Sequence, residues 1–376
     1  MQIYLIPLIF DYILYGIFFI VSFRMAESGS ALLTGAPMVI WGLTYSAVSY
    51  LLGKVVDSRN AVHILRFSGI LTALVSLLFF IDGLYIQLLF TGLMGVAGAC
   101  FCTPFQIVAG DREEGNAGGA GKAAALYTFS LSLGPAVSPV VFGCFDVKTG
   151  FWINAALGVV MTLLVTANKN HNAGNTETPE SDTPGSQMLP VWIFCGTAIL
   201  IVSLLGMLQP FRAVEIHLDR AVTGWAAALI KIPQAFVGLA LICAGNCLCR
   251  QYSIIITTAA GIAGLLLMSS AGSAAGFLSG SAVWGASCGA VYMYFVYSAL
   301  SDREHRARNV SINEMLQGIC CIAGPALGGV LTSRIGSVHT FFCCIFLLAG
   351  AAAASLLLKH QNKNKHKNKT ANNSMI

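Results

Sequence analysis

Long apolar segments follow one another along almost the whole chain, and short polar stretches separate them. A helix needs about 20 mostly apolar residues to cross the roughly 30 Å of hydrocarbon in a bilayer. By this measure the pattern predicts twelve membrane-spanning helices. Their predicted bounds are 3–23, 30–52, 62–81, 84–109, 122–145, 149–167, 189–211, 222–247, 253–272, 274–300, 310–333 and 337–358.

The composition agrees with this pattern. Of the 376 residues, 56% are hydrophobic and only 10% are charged, whereas soluble globular proteins carry about 25% charged residues. This difference excludes a water-soluble enzyme and predicts an all-α integral membrane protein. The 12 cysteines lie almost entirely within the apolar segments, where a thiol acts as a small apolar side chain.

One long polar segment, residues 169–188, divides the predicted helices into two sets of six. We therefore predict an N-terminal six-helix bundle over 1–168, a cytoplasmic central loop over 169–188 and a C-terminal six-helix bundle over 189–358. Residues 359–376 are rich in Lys and Asn, and we predict that they form a disordered basic cytoplasmic tail against anionic lipid headgroups.

The two halves resemble each other at a shift of about 190 residues. The matching positions are Gly95 and Gly285, Asp111 and Asp302, Gly134-Pro135 and Gly324-Pro325, and Phe151 and Phe341. Chance explains any one of these matches, but several at one shift indicate an internal repeat. Because each half has an even number of spans, both copies have the same orientation, which is typical of transporters built from parallel repeats.

The distribution of basic residues predicts the orientation in the membrane. Most of the 21 Lys and Arg residues fall in predicted loops on one side or in the C-terminal tail. Because short cytoplasmic loops carry an excess of Lys and Arg, both termini are predicted to be cytoplasmic. The expected location is the plasma or inner membrane.

The loop after the second predicted helix reads Gly53-Lys-Val-Val-Asp57-Ser-Arg59-Asn60. This segment resembles the loop signature of the major facilitator superfamily (MFS), and a degenerate copy in the second half ends at Arg250. The resemblance implies the MFS fold of two six-helix bundles. It also implies that Gly53, Asp57 and Arg59 stabilise the outward-facing state, with Arg250 at the equivalent position. An ordinary basic loop is the alternative interpretation.

Helices 5 and 11 carry a second resemblance, to the Gly-Pro signature of the same superfamily. It consists of Gly134 and Pro135 in helix 5 and of Gly324, Pro325 and Gly328 in helix 11. Pro bends a helix and Gly permits close packing, so these positions are predicted to form hinge or sealing surfaces. Thr91 stands where exporters of the family carry arginine, so facilitator, symporter and exporter all remain open.

Two charged residues fall near the middle of predicted spans, Asp11 in helix 1 and Lys231 in helix 8. A charge at the bilayer centre costs at least about 2.5 kcal/mol, so such residues usually face a cavity or a partner. We hypothesise that they form an ion pair across the cavity that substrate or a proton breaks; a static pair or two snorkelling side chains are the alternatives. Glu314 is expected to pair with Arg306 or Arg308, with proton handling as the alternative.

In the superfamily, helices 1, 4, 7 and 10 line the transport path. The resemblance therefore adds polar and aromatic candidates for substrate binding, namely Tyr15, Gln106, Gln209, Tyr292 and Tyr294. Aromatic rings stack on organic solutes and their hydroxyl groups donate hydrogen bonds. An aromatic belt at the membrane interface is the alternative role for the tyrosines of helix 10.

No phosphate-binding loop, nucleotide fingerprint or catalytic serine motif is present in the sequence. Pairs such as Cys100 and Cys102 have no His or carboxylate near them in sequence, so no metal site is predicted. We predict a monomeric secondary active or facilitative transporter that moves a small organic solute by rocker-switch alternating access, with proton coupling as an option. It is predicted to be no enzyme, to use no cofactor and to bind no nucleic acid. A non-transporting receptor on the same fold is the alternative.

Overall fold

The computed structural model describes residues 2–27, 31–112, 119–144, 147–167, 188–218, 220–241, 251–302 and 304–373. In these residues a short 3-10 helix, Gln2–Tyr4, is followed by twelve α-helices. They are α1 (Leu5–Glu27), α2 (Ala31–Leu52), α3 (Ala61–Leu78), α4 (Leu84–Arg112), α5 (Gly119–Cys144), α6 (Val147–Ala167), α7 (Leu189–Glu215), α8 (Arg220–Ala240), α9 (Gln251–Ser270), α10 (Ala274–Ser301), α11 (Arg306–Ile335) and α12 (Ser337–Asn373).

Ten of these helices are long and apolar enough to cross a membrane when only the described residues are counted. The other two are α1, whose described apolar stretch is Leu5–Phe18, and α5. A helix of 20 residues spans about 30 Å, and all the backbone hydrogen bonds that lipid cannot supply are made inside the helix. The chain is therefore an all-α, multi-pass membrane protein.

The observed helix ends are informative in two places. Ser273 separates α9 from α10, and its hydroxyl accepts a hydrogen bond from the Gly276 backbone N–H at 3.4 Å. At the C-terminus α12 continues to Asn373, past residue 359, where the predicted disordered tail begins. No Gly or Pro occurs between 359 and 373, and the Lys and Gln residues there favour the helix.

The two halves make the same set of helix contacts. In the first half α1 packs on α5 and α6, α2 on α4, and α3 on α4 and α6. In the second half α7 packs on α11 and α12, α8 on α10, and α9 on α10 and α12. Each contact of the first set has its counterpart six helices later. The structure is thus two six-helix bundles with one topology, as the sequence repeat predicts.

Equivalent glycines make equivalent contacts in the two bundles. A Cβ atom added to Gly95 of α4 would lie 2.6 Å from the Trp41 carbonyl oxygen of α2, and one added to Gly285 of α10 would lie 2.8 Å from the Ile230 Cα of α8. Gly134 presses α5 against α1 in the same way, and Gly324 presses α11 against α7. In lipid, such small residues allow backbones to approach closely. Gly134 and Gly324 therefore contact helices of their own bundle.

The bundles meet along two symmetry-related pairs of helices, α2 with α11 and α5 with α8. Between α2 and α11 the approach is close, because a Cβ added to Gly42 would lie 2.7 Å from the Gly318 carbonyl oxygen. Further contacts join α4 to α11 and α5 to α10. The first helix of each bundle, α1 or α7, lies between these two seams.

The glycine contacts lead to a test of the fold. Gly285→Ala is expected to lower the melting temperature of the purified protein by several degrees, because the new methyl group overlaps the α8 backbone. Gly350→Ala is the matched control, because this exposed helical glycine has nothing within 4 Å of an added Cβ. Ala is the better helix former, so the control is expected to be neutral or slightly stabilising. Equal melting temperatures for both variants would contradict the packing.

Candidate functional site

Two helices, one from each bundle, carry a charged side chain towards the space between the bundles. Asp11 and Tyr15 lie one turn apart on the same face of α1, and Lys231 approaches them from α8 of the other bundle. The Lys231 ammonium nitrogen lies 5.5 Å from the centre of the Tyr15 ring. It also donates a hydrogen bond to Gln234 Oε1 at 3.3 Å. Half-buried Lys231 thus points to the protein interior, because its cation–π partner belongs to the opposite bundle.

Asp11 is only 5% exposed, and its Oδ2 atom has no hydrogen-bond partner within the described structure. Lys231 and Glu314 are the charged side chains that act electrostatically on it. The structure places Asp11 and Lys231 in the interior from opposite halves, and its described residues show no direct ion pair between them. The reason is that the ammonium group is turned towards Tyr15 and Gln234.

The tyrosines of α10 point in different directions. Tyr292 is buried and lies near Tyr15 and near the thiols of Cys288 and Cys321. Tyr294 is two positions further on, about 200° around the helix, and its ring centre lies 4.9 Å from the Lys359 ammonium nitrogen of α12. Asp11, Tyr15 and Lys231 form what we call the central cluster. The structure therefore joins Tyr292 to this cluster and leaves Tyr294 outside it.

Gln209 also lies outside the central cluster. Its side-chain amide donates a hydrogen bond to Ser281 Oγ at 3.2 Å, which links α7 to α10 within the second bundle. The contact lies near the end of α7 and near the start of α10. Gln209 is 6% exposed, so it acts in the structure as a buried contact between two helices of one bundle.

Glu314 forms the centre of a second polar cluster. The Tyr45 hydroxyl of α2 donates to Glu314 Oε2, and the Gln106 amide of α4 donates to Glu314 Oε1. The Tyr127 hydroxyl of α5 lies 3.4 Å from the same Gln106 nitrogen. Three helices of the first bundle thus surround one carboxyl group of the second bundle, which is 4% exposed. The sequence led us to expect Arg306 or Arg308 as the partner of Glu314, whereas its oxygens face these neutral donors.

A row of aromatic rings connects the two clusters. Tyr15 packs edge-on against Phe18, with 6.1 Å between the ring centres, and Phe18 packs in the same way against Trp41 at 5.7 Å. Trp41 in turn stacks on Tyr45 at 4.3 Å, and Tyr45 donates to Glu314. The rings thus form a continuous series of contacts from Tyr15 to Tyr45, the donor to Glu314.

The bundles are closed at one end of the molecule, which we call the terminal face. It consists of the start of α1, α5 and α11 and of the end of α2, α4 and α10. Here Arg306 of α11 donates to Asp111 Oδ1 of α4 at 2.6 Å. Below this ion pair, Val56 and Ile107 form a small apolar cluster on which Ala307 packs. Charge and apolar contacts thus hold the two bundles together at this face.

The signature loop takes part in this closure. A Cβ added to Gly53 would lie 2.6 Å from the Ser311 Cβ, so the end of α2 contacts α11 directly. Asp57 Oδ1 accepts hydrogen bonds from the backbone N–H groups of Arg59 at 2.9 Å and Asn60 at 2.8 Å. Asn60 Oδ1 accepts the Asp57 N–H at 2.9 Å in return. Asn60 therefore closes the loop before α3. Arg250 lies outside the described residues.

The described cysteines are all free thiols. Across the described ranges, no group of three or more His, Cys, Asp or Glu side chains is placed to hold a metal ion. The thiols of Cys102 and Cys321 are of interest for another reason, because each lies beside one of the two polar clusters and is buried. They are natural reporters of access to the interior.

Comparisons with known proteins agree with this architecture. The sequence model described as Major Facilitator Superfamily matches residues 3–193 and again residues 191–374, one match for each half. Among solved structures, the crystal structure of the human organic anion transporter MFSD10 (TETRAN) has a TM-score of 0.75 to this chain. The two are 10% identical, and the alignment covers 94% of this chain and 98% of that one. At this identity the likeness shows the fold alone. No match was found among the curated proteins.

The Glu314 cluster can be tested by removing one donor. Tyr45→Phe keeps the ring that stacks on Trp41 and removes the hydroxyl that donates to Glu314. We expect a loss of about 1 kcal/mol in unfolding free energy, typical of hydrogen bonds between membrane helices, measured by denaturant unfolding in detergent. Tyr50→Phe, an exposed position on the same helix, is the control. An equal effect of both substitutions would contradict the network.

The closure of the terminal face can be tested with native thiols. Asp111→Asn removes one charge of the ion pair with Arg306, and the expected result is faster reaction of Cys102 and Cys321 with a small methanethiosulfonate reagent. A half-buried pair worth about 1 kcal/mol corresponds to a rate increase of about fivefold. Peptide mass mapping of the solubilised protein measures the labelling. Glu304→Gln removes an exposed carboxylate near the same face and is the control. Unchanged labelling in Asp111→Asn would show that the pair does not hold the face closed.

Proposed function

The chain belongs to the Major Facilitator Superfamily and is a multi-pass membrane transporter, and from this premise we propose that it moves a small organic solute by alternating access. In this proposal the two six-helix bundles rock about the central site, so that the site opens to one side of the membrane at a time. The transporter works as a monomer, because each chain contains both bundles and a complete site between them.

The central cluster is the observation that carries the proposal. Asp11 and Tyr15 come from one bundle and Lys231 from the other, so a solute bound among them contacts both moving parts. An interior that served only to hold the bundles together would pair its charges directly. Instead Asp11 Oδ2 lacks a hydrogen-bond partner in the described structure, and Lys231 is half-buried. Polar groups left in this way at an interior surface favour a binding site.

The closed terminal face supports an assignment of the conformational state. The excess of Lys and Arg in the loops at this face favours a cytoplasmic location of both termini, in the plasma or inner membrane. With that orientation, contacts of Arg306 and Gly53 with the opposite bundle close the cytoplasmic side. The structure then corresponds to a state closed to the cytoplasm, in which the signature loop has its proposed stabilising role.

Proton coupling through Asp11 completes the proposal. The titratable groups around its carboxyl are Lys231 from α8, Glu314 from α11, Tyr127 from α5, Cys102 from α4 and Tyr15 on its own helix. Lys231 is the only cation among them. Protonation of Asp11 removes the negative charge that faces the ammonium group, and a bound solute changes the same balance. Solute and proton are thus linked through one pair of side chains.

Transport by proteoliposomes tests the function. A solute that stabilises the purified protein is first identified by a thermal-shift screen of metabolites, and its labelled form is then followed in counterflow and in uptake driven by a pH gradient. Asp11→Asn is expected to retain counterflow and to lose at least about tenfold of the gradient-driven uptake, because the variant cannot carry the proton. Glu304→Gln is the control.

Two outcomes would contradict this proposal. Stabilisation by a solute without counterflow would indicate a non-transporting receptor on the same fold. Counterflow together with full gradient-driven uptake in Asp11→Asn would agree with transport but would exclude Asp11 as the coupling residue.

A further inference from the structure

Two neighbouring side chains of α8 carry hydrogen-bond donors close to the place where Lys231 meets Tyr15 of the opposite bundle. Lys231 and Gln234 are three residues apart, which places them on the same face of the helix. Gln234 is completely buried, and its Nε2 atom has no hydrogen-bond partner in the described part of the structure. Buried amide N–H groups are rarely left in this state, so an acceptor is missing.

The chemistry of lysine fixes which end of the Gln234 amide is unused. An ammonium group has three donors and no acceptor, so only the Gln234 oxygen can face it. This contact, 3.3 Å from Lys231 Nζ to Gln234 Oε1, occupies the oxygen and turns the Nε2 donors away from the lysine. Lys231 itself forms no ion pair with any described carboxylate, although Asp11 and Glu314 lie in its surroundings. Among the described residues, the Lys231 ammonium group therefore has no anionic partner and Gln234 Nε2 has no acceptor.

We propose that the solute of this transporter is a small organic anion, whose carboxylate binds Lys231 and Gln234 Nε2. A charge-assisted hydrogen bond from the ammonium and a second bond from the amide match the two oxygens of one carboxylate. The organic part of the solute lies against the rings of Tyr15 and Tyr292, beside the small side chain of Cys321. The inference rests on the proposed transport function and names the substrate class of the same site.

Neither of the two carboxyl groups near Lys231 serves as the acceptor for Lys231 and Gln234 Nε2. Both oxygens of Glu314 accept hydrogen bonds from the first bundle, one from Tyr45 and one from Gln106. Asp11 acts on Lys231 only at a distance, and a solute carboxylate competes with it for the ammonium group. An anionic solute therefore needs Lys231 and is opposed by Asp11. A cationic solute would show the reverse dependence, because it would bind Asp11 and be repelled by Lys231.

Matched pairs of carboxylates and carboxamides test the charge of the ligand. The purified full-length protein is titrated at constant ionic strength with benzoate and benzamide, nicotinate and nicotinamide, and hexanoate and hexanamide, together with benzylamine as a cation. Thermal unfolding gives the apparent dissociation constants. At least one carboxylate is expected to raise the melting temperature, while its amide has at least about tenfold weaker effect.

Four variants assign the binding to the proposed residues. Lys231→Gln is expected to weaken carboxylate binding by at least about tenfold, Gln234→Leu by a few fold, and Lys231→Arg by less than Lys231→Gln. Asp11→Asn is expected to tighten carboxylate binding, because it removes the negative charge that competes for Lys231. Lys148→Gln, at an exposed position, is the control for the loss of a positive charge. Gel filtration confirms that each variant is folded.

Three results would overturn the inference. They are binding of no carboxylate in the panel, binding of benzylamine or an amide in preference to the carboxylates, and carboxylate binding that survives Lys231→Gln undiminished. The same panel separates the inference from the proposed function. Carboxylate binding without flux in proteoliposomes would contradict transport only, whereas flux restricted to neutral or cationic solutes would contradict the anionic substrate only.

Discussion

The structure depends on the cost of placing charged groups inside a membrane protein, where lipid offers them no partner. Asp11, Lys231 and Glu314 all lie between the two bundles, and among the described residues none of them forms an ion pair within its own bundle. Glu314 of the second bundle takes its hydrogen bonds from Tyr45 and Gln106 of the first. Lys231 reaches across to Tyr15. The bundles must therefore stay face to face at the centre of the molecule, whichever end of the interface is open.

This constraint adds a second kind of contact between the bundles. Glycines bring backbones close together inside each bundle, as at Gly95 and Gly285, and also between α2 and α11, where Gly42 meets Gly318. Between the bundles, the ion pair of Arg306 with Asp111 and the polar clusters are made by side chains, which can separate and find water. Rigid bundles joined by exchangeable polar contacts are suited to rocking about a central site.

Much of the architecture could be predicted from the sequence, because helix length, the internal repeat and charges within apolar segments can be recognised directly from the order of the residues. The repeat required only that Gly134 match Gly324, and these glycines do make equivalent contacts. The partners of individual side chains were harder to predict. Glu314 was expected to find the nearest arginine in sequence, yet its oxygens lie beside residues about 200 or more positions away. Tyr292 and Tyr294 are two positions apart on one helix, so they point in different directions. The tail was predicted to be disordered because it is polar, but it contains no Gly or Pro that would end α12 before Asn373.

The most direct test of the central claim measures the two ends of the interface together. Spin labels at Lys54→Cys and Ser301→Cys report on the terminal face, and labels at Ile81→Cys and Gly272→Cys on the opposite face, in a background without reactive cysteines. Pulsed electron resonance is recorded with and without the Asp111→Asn substitution that weakens the terminal face. Alternating access predicts that the distance at the terminal face lengthens while the distance at the opposite face shortens. Distances that stay fixed, or that lengthen together, would contradict two bundles rocking about a central site.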